Sequence, residues 1–76
     1  MKNVKNALSS FEDIKEFNRI TCMYDLSADL STGNYKVNPR SLIGLFTLDT
    51  GKKLNLTIYS DNYNDYLERI GKFLVD

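Results

Sequence analysis

Few side chains in this chain of 76 residues could do chemistry, and none of them is a histidine. Without histidine the commonest general base and proton shuttle is missing, so Ser-His-Asp and Cys-His catalysis are excluded. The only cysteine, Cys22, alternates with Tyr24 and Leu26 as residues of a strand do. We therefore expect Cys22 to be a small core residue rather than a reactive thiol. These residue types predict a protein that is not an enzyme and has no catalytic residues.

Two acidic sets could bind a cation. The run Asp61–Asp65 is similar to a calcium-binding loop, but Tyr63 fills a ligand position and Tyr66 stands where such a loop needs glycine. Glu12 and Glu16 are four residues apart on a predicted helix, where exposed acidic side chains are common. We expect helix caps and solvated faces at both places, with no metal site and no cofactor.

Charge and composition exclude several classes of partner. Lysine plus arginine number 10, aspartate plus glutamate also number 10, and the two signs are interspersed. A surface of this kind does not favour nucleic acid or an acidic membrane. The apolar runs are too short to span a bilayer, no secretory leader is recognisable, and one cysteine cannot form an internal disulfide. We expect one cytoplasmic domain over residues 1–76, without a nucleic-acid or membrane partner.

The hydrophobic pattern predicts the elements that position these side chains. Lys2–Leu8 alternates as a strand, and Ser9 or Ser10 can cap the helix that follows. The apolar residues of this helix recur at a spacing of three: Phe11, Ile14, Phe17 and Ile20. A second strand is predicted over Cys22–Ala28, with turn residues at 29–34 and a returning strand at Tyr35–Val37.

The second half of the chain supplies a short helix, a strand and a final helix. Lys53–Tyr59 alternates most clearly and is predicted to be the central strand. The last helix carries an apolar stripe formed by Tyr63, Tyr66, Leu67, Ile70, Phe73 and Leu74. The resulting order, β-α-β-β-α-β-α, predicts an α+β fold with a four-stranded antiparallel sheet and its helices on one face. The predicted core includes Ile14, Phe17, Leu56, Ile58, Leu67 and Ile70.

The short helix carries the clearest sign of a binding surface. Ser41 can cap a helical stretch over Leu42–Leu48, which is too short to turn all of its apolar residues inward. Leu45 and Leu48 are predicted to face the core, and burial of the others under the last helix is the alternative. The residues expected to be more exposed are Leu42, Ile43 and Phe46.

The stretch Arg40–Leu48 resembles the "K-S-I-M-G-V-M-S-L" segment of HPr, the phosphocarrier protein of the bacterial sugar phosphotransferase system. The order of elements is similar over almost the whole chain. The resemblance implies an open-faced β-sandwich with sheet order 1-4-2-3 and a single HPr-like domain. It also implies partners among phosphotransferase-system or transcription-regulatory proteins, which would contact Arg40, Leu42, Ile43 and Phe46.

The chain departs from the family at its phosphocarrier site. HPr carries phosphate on the histidine of an H-x-R-P motif, and aligning Phe17 with the family's helical phenylalanine places Ser10 at the histidine and Glu12 at the arginine. A serine without an adjacent base does not replace this histidine, and Glu12 would repel the incoming anion. The resemblance therefore implies a divergent relative with a degenerate phosphocarrier site.

Ser41 matches the serine that a dedicated kinase phosphorylates in HPr of many Gram-positive bacteria. A helix N-terminus favours phosphate, and Arg40 could add a charge-assisted contact, although an unmodified helix cap is the alternative. The leading hypothesis is a non-catalytic, regulatory, protein-binding relative of HPr. The other hypothesis is a small-ligand-binding or oligomerisation module with no phosphotransferase role. Weak self-association is compatible with both.

Overall fold

The computed structural model describes residues 1–75, in which helices and strands follow the predicted order β-α-β-β-α-β-α. A 3-10 turn and a short fifth strand come after these seven elements. Within the described part of the chain, no helix has the length and apolar composition needed to cross a bilayer. The elements are β1 (Lys2–Ala7), α1 (Phe11–Cys22), β2 (Ala28–Thr32), β3 (Tyr35–Val37), α2 (Leu42–Leu45), β4 (Lys53–Ile58), α3 (Asn64–Arg69), the 3-10 turn (Gly71–Phe73) and β5 (Leu74–Val75).

The strands form one antiparallel sheet in the order β3-β2-β4-β1-β5. Four of them reproduce the expected order 1-4-2-3, so the predicted α+β architecture is confirmed. β4 is central, as the alternation of its apolar residues predicted. The fifth strand pairs Leu74 with Asn6 and Val75 with Lys5 along the outer edge of β1.

The sequence pattern does not predict β5, since Leu74 falls on the apolar stripe of the last helix. In the structure α3 ends at Arg69, and Gly71 begins the 3-10 turn. Glycine is a weak helix former, which favours an end to the helix at this point. The chain then runs along β1, whose outer backbone N–H and C=O groups would otherwise lack partners in the sheet.

The core lies between the sheet and the helices. On β4, Leu54, Leu56 and Ile58 are all at most 1% exposed, and α1 buries Ile14 and Phe17 against them. The alternating burial along β4 arises because successive side chains of a strand point to opposite faces of the sheet. These positions are core residues, as predicted.

Tyr66 joins α3 to α1 inside this core. Its hydroxyl is hydrogen-bonded to that of Thr21 at 2.7 Å, and the Thr21 hydroxyl lies 2.8 Å from the Phe17 carbonyl oxygen, to which it donates. Burial raises the pKa of Tyr66 to about 12, because the phenolate would lose its hydration. Ile70 is fully buried beside it, whereas Leu67 is only partly buried.

The strand expected over Cys22–Ala28 is not formed, so that prediction is wrong. α1 continues through Cys22, and β2 begins only at Ala28. The last turn of α1 is held in place because Thr21 is fully buried and hydrogen-bonded to Tyr66. Cys22 is consequently exposed, with its Sγ 3.5 Å from the carbonyl oxygen of Arg40, and it is not a core residue.

The hairpin of β2 and β3 is tighter than its composition suggested. Thr32 pairs with Tyr35, so that the connection consists of Gly33 and Asn34 alone. Gly33 has a φ of +57°, a left-handed conformation that glycine adopts without steric cost. Residues 29–32, which were expected in the turn, are therefore part of β2.

Candidate protein-binding surface

Ser41 begins the short helix α2 as its N-cap. The Gly44 N–H donates to Ser41 Oγ at 3.2 Å, and the Leu45 N–H donates to the Ser41 carbonyl at 3.0 Å. The regular helix spans only Leu42–Leu45, and hydrogen-bonded turns extend the helical path of the chain through Leu48. So short a helix is stabilised by packing rather than by its own hydrogen bonds.

This helix presents apolar side chains to both the core and the solvent. Leu45 is fully buried and Leu48 is 8% exposed, whereas Ile43 is 80% and Phe46 41% exposed. Leu42 packs against the core and is only partly exposed. Residues 43 and 46 are three apart, so their side chains project from the same side of this helical segment.

Phe11 adds a third exposed apolar side chain, although its spacing grouped it with the other apolar residues of α1. Phe11 is 64% exposed, and its ring meets Phe46 edge to face with 5.6 Å between centroids. A helix turns about 100° per residue, so a spacing of three drifts by about 60° at each step. Over the three steps from Ile20 back to Phe11 the drift reaches the opposite face. We call Phe11, Ile43 and Phe46 the apolar patch.

The apolar patch borders an open groove with charges of both signs. Phe11, Glu12, Lys15 and Phe46 line this groove. Glu12 and Lys15 lie on the exposed face of α1, one turn apart. Neither takes part in the ion pairs formed within residues 1–75, which join Lys36 to Asp29, Lys52 to Asp49 and Lys72 to Glu16.

Ser10, which the resemblance aligned with the phosphocarrier histidine, is the N-cap of α1. Its Oγ accepts the Asp13 N–H at 3.2 Å, while Asp13 Oδ2 accepts the Ser9 N–H at 3.0 Å. Both bonds satisfy amides at a helix start and need no catalytic role. Among residues 1–75 there is no group of three or more acidic, cysteine or histidine side chains that could hold a metal ion.

Arg40 connects the segment before α2 with the loop after α1. Its Nη1 donates to the Tyr24 carbonyl at 2.9 Å, and its backbone N–H donates to Asn38 Oδ1 at 2.9 Å. Arg40 and Ser41 are both exposed. One guanidinium nitrogen is thus engaged with the α1–β2 loop, while the neighbouring Ser41 hydroxyl lies on the surface as the helix cap.

A polar depression that includes Arg40 bears on the small-ligand hypothesis. It is lined by polar groups of Asp25, Ser27, Asn38 and Ser60 together with Arg40. Several of these groups already bind protein atoms, as the Ser60 hydroxyl accepts the Ser27 N–H at 2.9 Å. The exposed surface beside Ser41 is instead apolar, which is more typical of a protein contact than of a polar ligand site.

The architecture is that of an open-faced α+β sandwich, in which an antiparallel sheet carries its helices on one face. No protein-family model matches the chain, and the comparison with curated proteins found no match. Among solved structures, the crystal structure of HPr-C-His from Thermoanaerobacter tengcongensis is similar, with a TM-score of 0.79. The similarity covers 95% of this chain and 89% of that chain at 16% sequence identity. The chain therefore has an HPr-like fold.

Proposed function

We propose that the chain is a non-catalytic, HPr-like regulatory module that binds a protein partner of the phosphotransferase system or of transcriptional control. The observation that supports this proposal is the exposed aromatic contact between Phe11 and Phe46, on a domain that buries most of its other large apolar residues. Aromatic side chains are enriched where protein surfaces meet, because they bury large areas with few rotatable bonds. The absence of histidine argues that the module does not carry phosphate as HPr does.

Ser41 is the proposed regulatory site of this surface. Its hydroxyl already lies at a helix start, where backbone N–H groups and the helix dipole favour a phosphate. It is separated from Ile43 by one residue, so added charge would change the face that a partner meets. The proposed contact set comprises Arg40, Leu42, Ile43 and Phe46, and Phe11 extends it onto α1.

The test is capture of partners from a native cytoplasmic lysate, followed by binding to the purified captured protein. Phe46→Asp is expected to reduce binding at least tenfold, since a buried charge at an interface anchor is costly. Val75→Asp is the matched control, because Val75 is 38% exposed on the edge strand β5, outside the apolar patch. Circular dichroism and thermal melting should show both variants folded.

Ser41→Asp should change the same binding more than it changes stability, because a negative charge is favourable at a helix N-terminus. Ser41→Ala separates loss of the cap from addition of charge. Binding that is equally strong for wild type, Phe46→Asp and Ser41→Asp would place the partner surface elsewhere. Loss of folding in Phe46→Asp would instead show that Phe46 is a structural residue.

A further inference from the structure

We propose that a second copy of this chain covers the apolar patch, so that a weak two-fold dimer hides the partner surface when no partner is bound. This inference rests on the proposed function, because it assigns the regulation of the same surface. It is carried by the placement of Glu12 and Lys15 beside Phe11 and Phe46 in one groove.

The charges around the groove are self-complementary. A two-fold dimer brings the same patch of each chain together, so residue i of one copy meets residue j of the other and the reverse. Glu12 and Lys15 are three residues apart on the same exposed helix face. An axis passing between them places Glu12 of each copy against Lys15 of the other, which forms the contact twice.

The apolar area supports a weak dimer rather than an obligate one. Phe11, Ile43 and Phe46 are 64%, 80% and 41% exposed. This corresponds to roughly 300–450 Å² of apolar surface, taking about 150–250 Å² for each large side chain. A stable interface buries about 800 Å² on each partner, so the apolar patch supplies about half and a polar rim must supply the rest. A partner with a larger surface would displace the second copy.

Sedimentation velocity from about 10 μM to about 1 mM should show a reversible monomer–dimer equilibrium for the full chain. Phe11→Asp should raise the dissociation constant at least tenfold, because it removes one of the two rings in edge-to-face contact and introduces a charge into the apolar centre. Val75→Asp serves again as the matched surface control and should leave the equilibrium within about twofold of wild type.

Charge reversal tests the two-fold arrangement directly. Glu12→Lys and Lys15→Glu should each raise the dissociation constant about three- to tenfold, since like charges then meet twice in every dimer. An equimolar mixture of these two variants should recover wild-type association, because each lysine of one chain then faces a glutamate of the other. This recovery requires two copies of the groove in contact, and a patch left open in solution would not produce it.

Several results would overturn the dimer. A chain that stays monomeric to about 1 mM contradicts it. A dimer that is weakened by neither charge reversal also contradicts it, and so does a failure of the two charge-reversed variants to associate when mixed. Failure of the dimer and failure of the proposed function are distinguishable. A monomer whose partner binding depends on Phe46 refutes only the dimer, whereas a dimer with the expected mixing behaviour and no Phe46-dependent partner refutes only the proposed partner.

Discussion

Asn6→Leu is expected to stabilise the protein. Asn6 lies on β1 with its side chain fully buried, opposite Leu54 of β4 and Leu74 of β5. Neither Nδ2 nor Oδ1 of its amide has a hydrogen-bond partner in the described part of the chain. The alternation of β1 directs Asn6 inward together with Val4 and Leu8, so the amide faces the apolar core.

The expected gain follows from the cost of that amide. A buried amide without a partner costs about 1–3 kcal/mol, and leucine, which is branched at the same position but larger, replaces it with apolar contacts. Some of the gain is offset where the branched leucine fits less well than asparagine. We therefore expect the free energy of unfolding to rise by less than the full cost of the amide, by about 0.5–2 kcal/mol. In a domain of this size each kcal/mol raises the melting temperature by about 4–8 °C.

Asn55→Leu is the matched control because it makes the same substitution on the opposite face of the sheet. Asn55 lies on β4 across from Lys5, whose ammonium group donates to its amide oxygen at the surface. Leucine favours a strand more than asparagine does, and the control measures this contribution without removing a buried polar group. Its effect should stay within about 0.5 kcal/mol.

Urea unfolding followed by circular dichroism measures both variants, and an unchanged m-value ensures that the midpoints report stability. Stabilisation by Asn6→Leu that exceeds that of Asn55→Leu supports the reasoning. A less stable Asn6→Leu, or equal effects at the two sites, would refute it. Such a result would show that the buried amide is hydrogen-bonded in solution, for example to an internal water molecule.

Three further predictions concern phosphate transfer, the core and alkaline pH. Incubation with enzyme I of the phosphotransferase system and labelled phosphoenolpyruvate should transfer no phosphate to the protein. Phosphate label on the wild type that disappears in Ser10→Ala would contradict this. Leu56→Ala, at a fully buried position, should lower the free energy of unfolding by about 2–5 kcal/mol, and an unchanged urea midpoint would show that the site is not core. The pKa of Tyr66, raised from 10.0 to about 12 by burial, makes a contribution to stability that is present below pH 10 and lost as the pH rises toward 12. Phenolate absorbance followed against pH should show the protein unfolding at alkaline pH, and the unfolding of Tyr66→Phe should depend less steeply on pH. Identical profiles for wild type and Tyr66→Phe would contradict the assignment of this effect to Tyr66.

The sequence alone determined the elements with strong local patterns. Alternation at Leu54, Leu56 and Ile58 predicted the central strand, because a strand buried on one face shows a two-residue period. Ser41 was predicted to be a cap and Ser10 was one of two candidates with Ser9, since the cap hydrogen bond lies within three residues along the chain. The HPr-like order of strands followed from the resemblance and from the order of these elements.

Short or ambiguous patterns needed the tertiary structure. Alternation over Cys22–Ala28 favoured a strand, but the contact of Thr21 with Tyr66 holds the last turn of α1 through Cys22. Residues 23–27 then form neither helix nor strand, and β2 begins at Ala28. β5 has only two residues, too few for any period, and it forms because the edge of β1 is available to pair with it.

The apolar patch is also a product of the tertiary structure. Ile43 and Phe46 could be identified locally, because α2 is too short to bury every apolar residue that it carries. The exposure of Phe11 follows from the helical turn of α1, but its place in the apolar patch depends on how α1 packs beside α2. Its contact with Phe46 joins two helices that are distant in the sequence. Periodicity along a chain describes one element at a time, whereas a surface is made where the packing of several elements leaves side chains uncovered.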